Sequence, residues 1–237
     1  MGRRRDIKER CEECWFRHEL CVCALIPQRE LNTRLLLLMH HTEWASTTNT
    51  GRFALRALPN SEVRFRGLPE ERVNLDDLRN SPGQLLLLYP TPDAQPLTTE
   101  FIQKLKKPVT LIVPDGTWRQ AAKVFRRERV LKEQTIPVSL PPDAVESDYL
   151  LRRMDKPGAL CTLEAIAHAM GILEGEDIKQ DLLELFNLVN LRTLATRSPD
   201  WIEAMKEWAK KAGRSPGKTW ASVAELREKY LPKGYRP

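Results

Sequence analysis

The stretch VTLIVPDGTW, residues 109 to 118, decides the fold. Thr110 to Val113 is a continuous apolar run rather than an alternating one, the pattern of a parallel strand covered on both faces. Pro114, Asp115 and Gly116 then supply turn chemistry. Directly behind them, WRQAAKVFRRERV places Trp118, Ala121, Ala122 and Phe125 at helical spacing. Strand, tight turn and helix follow one another without a linker. In an α/β sheet, ligands collect at the carboxyl ends of strands, where turn amides and helix starts face the crevice.

Outward from this junction the same alternation recurs. RLLLLMHH (34–41), VRFRGL (63–68), QLLLLYP (84–90) and TIPVSLP (135–141) read as further strands. TNTGRFALRAL (48–58), TEFIQKLKK (99–107), TWRQAAKVFRRERVLKE (117–133), CTLEAIAHAMGIL (161–173) and residues 177–195 read as helices. The expected class is α/β with a parallel sheet. Residues 1–30 lack either period and form an appended module, residues 31–197 the main domain, and residues 198–237 a helical C-terminal extension.

The module holds four of the five cysteines. Cys11, Cys14, Cys21 and Cys23 spell CxxC, a six-residue spacer and CxC, a donor set suited to tetrahedral structural zinc. A disulfide framework competes with zinc, but a reducing compartment opposes it. His18 lies inside the spacer and is a surface residue, a neighbour of the site or a replacement ligand. Cys161 stands alone and is read as packing.

Composition sets the wider limits. With 237 residues, 41% hydrophobic and 30% charged, the chain can bury a sizeable core. Its longest apolar runs are far shorter than the roughly 20 residues of a membrane span. Arg3, Arg4 and Arg5 are followed by no apolar stretch, so no secretory signal is read and a cytoplasmic protein is expected. Net charge is +6, and residues 198–237 carry nine Lys and Arg against five Asp and Glu. A basic tail suits a polyanionic partner.

Taken together, PDGTW (114–118), HHTEWASTTNTGR (40–52), the CxxC and CxC cluster and RRMDKPGALCTLEAIAHA (152–169) resemble the DTW-domain family over about residues 11–197. The family's Asp-x-Thr-Trp element is matched by Asp115, Thr117 and Trp118. The resemblance implies a knotted, SPOUT-like fold and transfer of the 3-amino-3-carboxypropyl group of S-adenosylmethionine to a uridine of tRNA. Residue types do not separate this from SPOUT-like RNA methylation with the same cofactor. A non-catalytic zinc-ribbon RNA binder is the reading of another class, and a strand-end carboxylate argues against it.

Chemistry assigns the residues. Uridine N3 must lose a proton before it attacks the sulfonium-activated methylene, so Asp115 is the candidate general base, with an electrostatic role beside the sulfonium as its alternative. By resemblance to knotted S-adenosylmethionine sites, three loops cradle the cofactor: Tyr89 and Pro90; Asp115, Gly116 and Thr117; and Leu160, Thr162 and Glu164. Glu164 either holds the methionine amino group or caps its own helix. Trp118 either stacks on a base or packs beneath its helix. Arg119, Lys123, Arg126 and Arg127 form a basic stripe, solvated or bound to phosphate. Arg152 and Arg153 reach either the methionine carboxylate or RNA. Asn49, Thr50 and Arg52 are expected on the RNA side, although Asn49 or Thr50 also suits a helix start.

Overall fold

The computed structural model describes residues 10–44, 46, 48–68, 72–141, 147 and 160–195. Its described strands form one six-stranded, all-parallel sheet in the order β2-β1-β5-β3-β6-β4. The strands are β1 (Arg34–His40), β2 (Ser61–Arg66), β3 (Gln84–Leu88), β4 (Gln95–Pro96), β5 (Val109–Asp115) and β6 (Thr135–Ser139). The first strand of the argument, β5, lies between β1 and β3, where a continuous apolar run is covered on both sides.

Strand alternation divides the apolar side chains between two cores. Leu35, Leu37 and Met39 of β1, with Leu111 and Val113 of β5, join one cluster; Leu36, Leu38 and Ile112 join the other. Leu35 to Met39 are all fully buried. Each such side chain contributes roughly 1.5–3 kcal/mol against the entropy of ordering it.

The first cluster is roofed by α2 (Gly51–Ala57), α6 (Thr162–Glu174) and α7 (Glu176–Ala195). Helix α6 lies against both β5 and α7, which explains why Leu163, Ile166, Ala167 and Met170 are all buried. The second cluster is closed by α4 (Trp118–Arg127) and α5 (Arg129–Gln134). Two four-residue helices, α1 (His41–Trp44) and α3 (Thr99–Ile102), complete the described helices. None of the described helices is long and apolar enough to cross a membrane.

Three local expectations are corrected. The helix expected over 117–133 is two helices, because Glu128 adopts an extended conformation (φ −89°, ψ 98°). The break lets Val130 and Leu131 turn onto the second core. The helix expected over 99–107 lasts only four residues, and the apolar stripe of α4 is Ala121 and Val124, with Phe125 partly buried and Trp118 left 40% exposed.

Residues expected to form an appended module share the main core. Cys14, Phe16, Leu20, Val22 and Ile26 belong to the cluster that holds Leu35 and Phe53, and Phe16 stacks on Phe53 at 6.0 Å. The path from β6 to α6, which would decide any threading of the chain, runs largely through residues outside the described set, as do Arg152, Arg153 and the whole C-terminal extension.

Candidate active site and cysteine cluster

The carboxyl ends of β3, β5 and β6 surround a cavity of about 420 Å³. That volume falls in the range of small-molecule sites, roughly 300–1,000 Å³. Tyr89, Pro90, Gly116, Leu160 and Thr162, all expected at a cofactor site, line it. So does Trp118, whose ring stands 6.2 Å from that of Tyr89. It stands 40% exposed at the cavity rim, outside both buried clusters. Ser139, Leu140 and Pro141 complete the wall and were not singled out in the sequence. The signal was there: TIPVSLP ends a parallel strand just as VTLIVPD does.

The other expected cofactor residues stand behind the wall. Asp115 is 4% exposed; one carboxylate oxygen accepts from Asn49 Nδ2 at 2.7 Å and the other from Thr162 Oγ1 at 2.5 Å. These two bonds tie the end of β5 to the starts of α2 and α6. Gly51 shows how close the approach is, since a Cβ there would lie 3.0 Å from Asp115 Oδ2 and 3.2 Å from Thr162 Cγ2. A side chain at this first turn of α2 would crowd both groups, and glycine leaves them room.

Thr117 caps α4. Its hydroxyl accepts from Gln120 N at 3.3 Å while its amide donates to Gln120 Oε1 at 2.7 Å, a complete capping box. Gly116, at φ 150°, adopts a backbone conformation unfavourable to side chains and places the turn against the cavity. Glu164 is 3% exposed and accepts from Cys161 N at 2.8 Å, which is the capping role left open by the sequence. Burial pushes the Cys161 thiol well up, as expected of a packing cysteine.

Asn49 and Thr50 are both 4% exposed, and their side chains face inward. Asn49 bonds to Asp115, and Thr50 Oγ1 donates to Cys161 Sγ at 3.4 Å and accepts from Leu163 N at 3.4 Å. Arg52, expected on the RNA side, is 5% exposed, donates to the Cys14 carbonyl at 3.1 Å and lies 4.4 Å over the Trp15 ring. Burial lowers its guanidinium to about 10. The arrangement makes all three residues internal ties, because α2 begins beneath the cysteine module and not at the surface. Arg119, Arg126 and Arg127 are exposed along α4, and Lys123 is half-buried.

The four cysteines converge. Their Sγ atoms all lie within 4.8 Å of one another, with Cys11–Cys23 at 3.6 Å and Cys14–Cys21 at 3.7 Å. A tetrahedral ion with metal–sulfur bonds of about 2.3 Å needs sulfurs about 3.8 Å apart. The donor set therefore fits a four-thiolate metal site, and these distances are too long for disulfides. His18 is exposed and is not part of the cluster.

Curated proteins from three organisms are similar to this chain over about three quarters of its length. The chain is 29% identical over 188 residues to tRNA-uridine aminocarboxypropyltransferase 2 of Drosophila melanogaster, a match covering 74% of this chain and 71% of that protein. It is 30% identical over 182 residues to the Mus musculus protein of the same name, covering 73% of this chain but 59% of that protein. With tRNA-uridine aminocarboxypropyltransferase A of Arabidopsis thaliana it shares 25% identity over 205 residues, 74% of this chain and 77% of the other. Among solved structures, the SAM-dependent rRNA:acp-transferase Tsr3 from Vulcanisaeta distributa aligns over 82% of this chain and 88% of its own, at 20% identity and a TM-score of 0.46. The DTW domain model matches residues 8–194, which take in the cysteine cluster, the strand-end cavity and α7, and the chain belongs to the DTW domain family.

Proposed function

We propose that the chain transfers the 3-amino-3-carboxypropyl group of S-adenosylmethionine to N3 of a uridine in tRNA and releases methylthioadenosine. The observation that carries this reading is a strand-end cavity lined by Gly116 and Trp118 of the family's DGTW turn and by the half-buried Tyr89 facing Trp118. A cavity of this size and apolar lining suits a nucleoside such as the adenosyl group of the donor. The named relatives, of which the chain spans 59% to 77%, support both the group and the acceptor.

The reaction forms the N3–C bond as the C–S bond of the sulfonium breaks, so the sulfur leaves as a neutral thioether. Positioning selects the methylene over the methyl carbon. The proton on N3 must go elsewhere, and Asp115 is too buried to line the cavity itself. Thr162 does line it, and its hydroxyl donates to Asp115. In our reading N3 gives its proton to Thr162 Oγ1 as the threonine proton passes to the Asp115 carboxylate. Asn49 keeps that carboxylate in place. Zinc at the four cysteines is structural in this proposal, and a reducing, cytoplasmic setting suits it.

Carboxyl-labelled and methyl-labelled S-adenosylmethionine test the reaction. Label should enter tRNA from the first and not from the second, with methylthioadenosine formed. Methyl label in tRNA would make the chain a methyltransferase, and no transfer at all would favour a non-catalytic binder. Thr162→Val should slow turnover about 10²–10⁴-fold, the usual effect of losing a positioned proton acceptor, while Thr162→Ser retains most of it.

A further inference from the structure

The strand-end turn has a second flank. Sheet order puts the cavity toward β3 and β6 and leaves β1 and β2 on the opposite side of Asp115. Three rings stand there in a row. Trp15 meets Trp44 at 6.0 Å and 86°, and Trp44 meets Phe65 at 5.3 Å and 84°. Trp44 is 39% exposed and Phe65 36% exposed, so the row is not a core feature.

Trp15 carries a further sign of purpose. It sits between the two halves of the cysteine cluster at φ 64°, in the left-handed region that a bulky residue adopts at a cost and that Gly or Asn adopts readily. The guanidinium of Arg52 lies 4.4 Å over that ring and supports it from within. A costly conformation kept for an indole points to a use for its surface.

Two imidazoles and two cations, Arg66 and Lys123, border the row. His40 and His41 have ring centres 4.8 Å apart. Burial lowers the His40 pKa, and the nearby charges of Arg66, His41 and Lys123 lower it further, so these groups share one positive neighbourhood. Arg66 is 7% exposed, and its Nη2 has no hydrogen-bond partner among the described residues. That nitrogen lies 3.4 Å from where a Gly116 Cβ would stand, at the back of the DGTW turn. The carboxylates of Asp115 and Glu128 already lie near this buried guanidinium, so Arg66 backs the turn, and the half-buried Lys123 is the more accessible cation of this neighbourhood.

We infer that this flank is the entry track for single-stranded RNA, with bases stacking on Trp44, Phe65 and Trp15 and backbone phosphates meeting Lys123, His40 and His41. The inference rests on the tRNA reading of the preceding subsection and deepens it. Stacking platforms beside a basic edge are how proteins hold unpaired nucleotides, whereas duplex RNA hides its base faces. The track leads to the turn from the side opposite the cavity, so polymer and donor would meet at Asp115 and Thr162 without competing for space. It also gives the cysteine module a task beyond stability, since it presents Trp15.

The test uses the full-length chain with three probes: tRNA, a single-stranded oligouridine and an RNA duplex of equal length. Wild-type protein should bind oligouridine more tightly than duplex. Trp44→Ala/Phe65→Ala should weaken tRNA and oligouridine binding by about ten-fold or more, as expected for lost base–aromatic stacks. Trp44→Tyr should restore most of the affinity, with a thermal midpoint close to that of the wild type. In turnover the double variant should raise KM for tRNA with little change in kcat. Lys123→Gln should reduce the slope of log affinity against log salt by about one. Unchanged tRNA affinity in the double variant, or equal preference of the wild type for duplex, overturns the inference. Group transfer is scored separately with labelled donor, so a protein that transfers normally despite the double variant sinks this inference alone, and a wild type that never transfers sinks the functional reading.

Discussion

Two polar hubs hold this molecule together, and they are completed in different ways. Around Asp115, donors and acceptor match: Asn49 and Thr162 each donate to one carboxylate oxygen, and a buried charge acquires its partners from within the chain. Around the cysteines nothing matches. Four sulfurs within 4.8 Å are weak partners for one another, and as thiolates they repel. The first hub is finished by the fold, whereas the second offers the donors that a cation would finish. One helix start serves both, since Asn49 reaches Asp115, Arg52 reaches the Cys14 carbonyl, and Arg52 N donates to Asn49 Oδ1 at 3.1 Å.

The largest effect should come from the cysteine hub, which we propose holds zinc. Purified protein should contain about one zinc per chain. Chelation or Cys14→Ser should cost about 3–5 kcal/mol, seen as a fall of roughly 10 °C in the thermal midpoint, because Cys14 and its neighbours Phe16 and Leu20 belong to the main core. A metal-free protein that melts like the wild type would erase the contrast between the hubs.

Next comes Asp115→Asn, which keeps the shape of the internal hub but removes its charge. Turnover should fall about 10²–10⁴-fold with donor and tRNA affinity largely kept. A nearly normal rate together with a lower melting point would make Asp115 a strut only. Gly51→Ala tests the spacing between the hubs. With 3.0 Å to Asp115 Oδ2, the added methyl should cost about 1–3 kcal/mol and shift activity and melting together. A neutral result would mean that α2 moves freely relative to β5. Smallest is Thr117→Ala, which removes the hydroxyl half of the α4 capping box for about 1 kcal/mol and leaves the cysteine cluster untouched.

These hubs differ also in how far they could be read beforehand. CxxC and CxC place ligands within thirteen residues, so spacing alone announces a metal site, and the structure brings those sulfurs together. Asp115 was legible as a strand-end carboxylate because the run before it and the turn after it are local patterns. Its partners were not. Asn49 is 66 residues away and Thr162 is 47 away, and no periodicity links them.

By itself the sequence determined the α/β class, the parallel strands, the DGTW turn and the cysteine cluster, since each follows from interactions among near neighbours. Tertiary structure alone decided which strands adjoin β5, and so which residues wall the cavity and which stand on its other flank. It also turned Asn49, Thr50 and Arg52 inward, because α2 must pack beneath the cysteine module, and it left Trp118 exposed at the cavity edge. The physical reason is range. Propensity, capping and ligand spacing act over a few residues, whereas burial and hydrogen-bond completion depend on what the fold brings alongside from far along the chain.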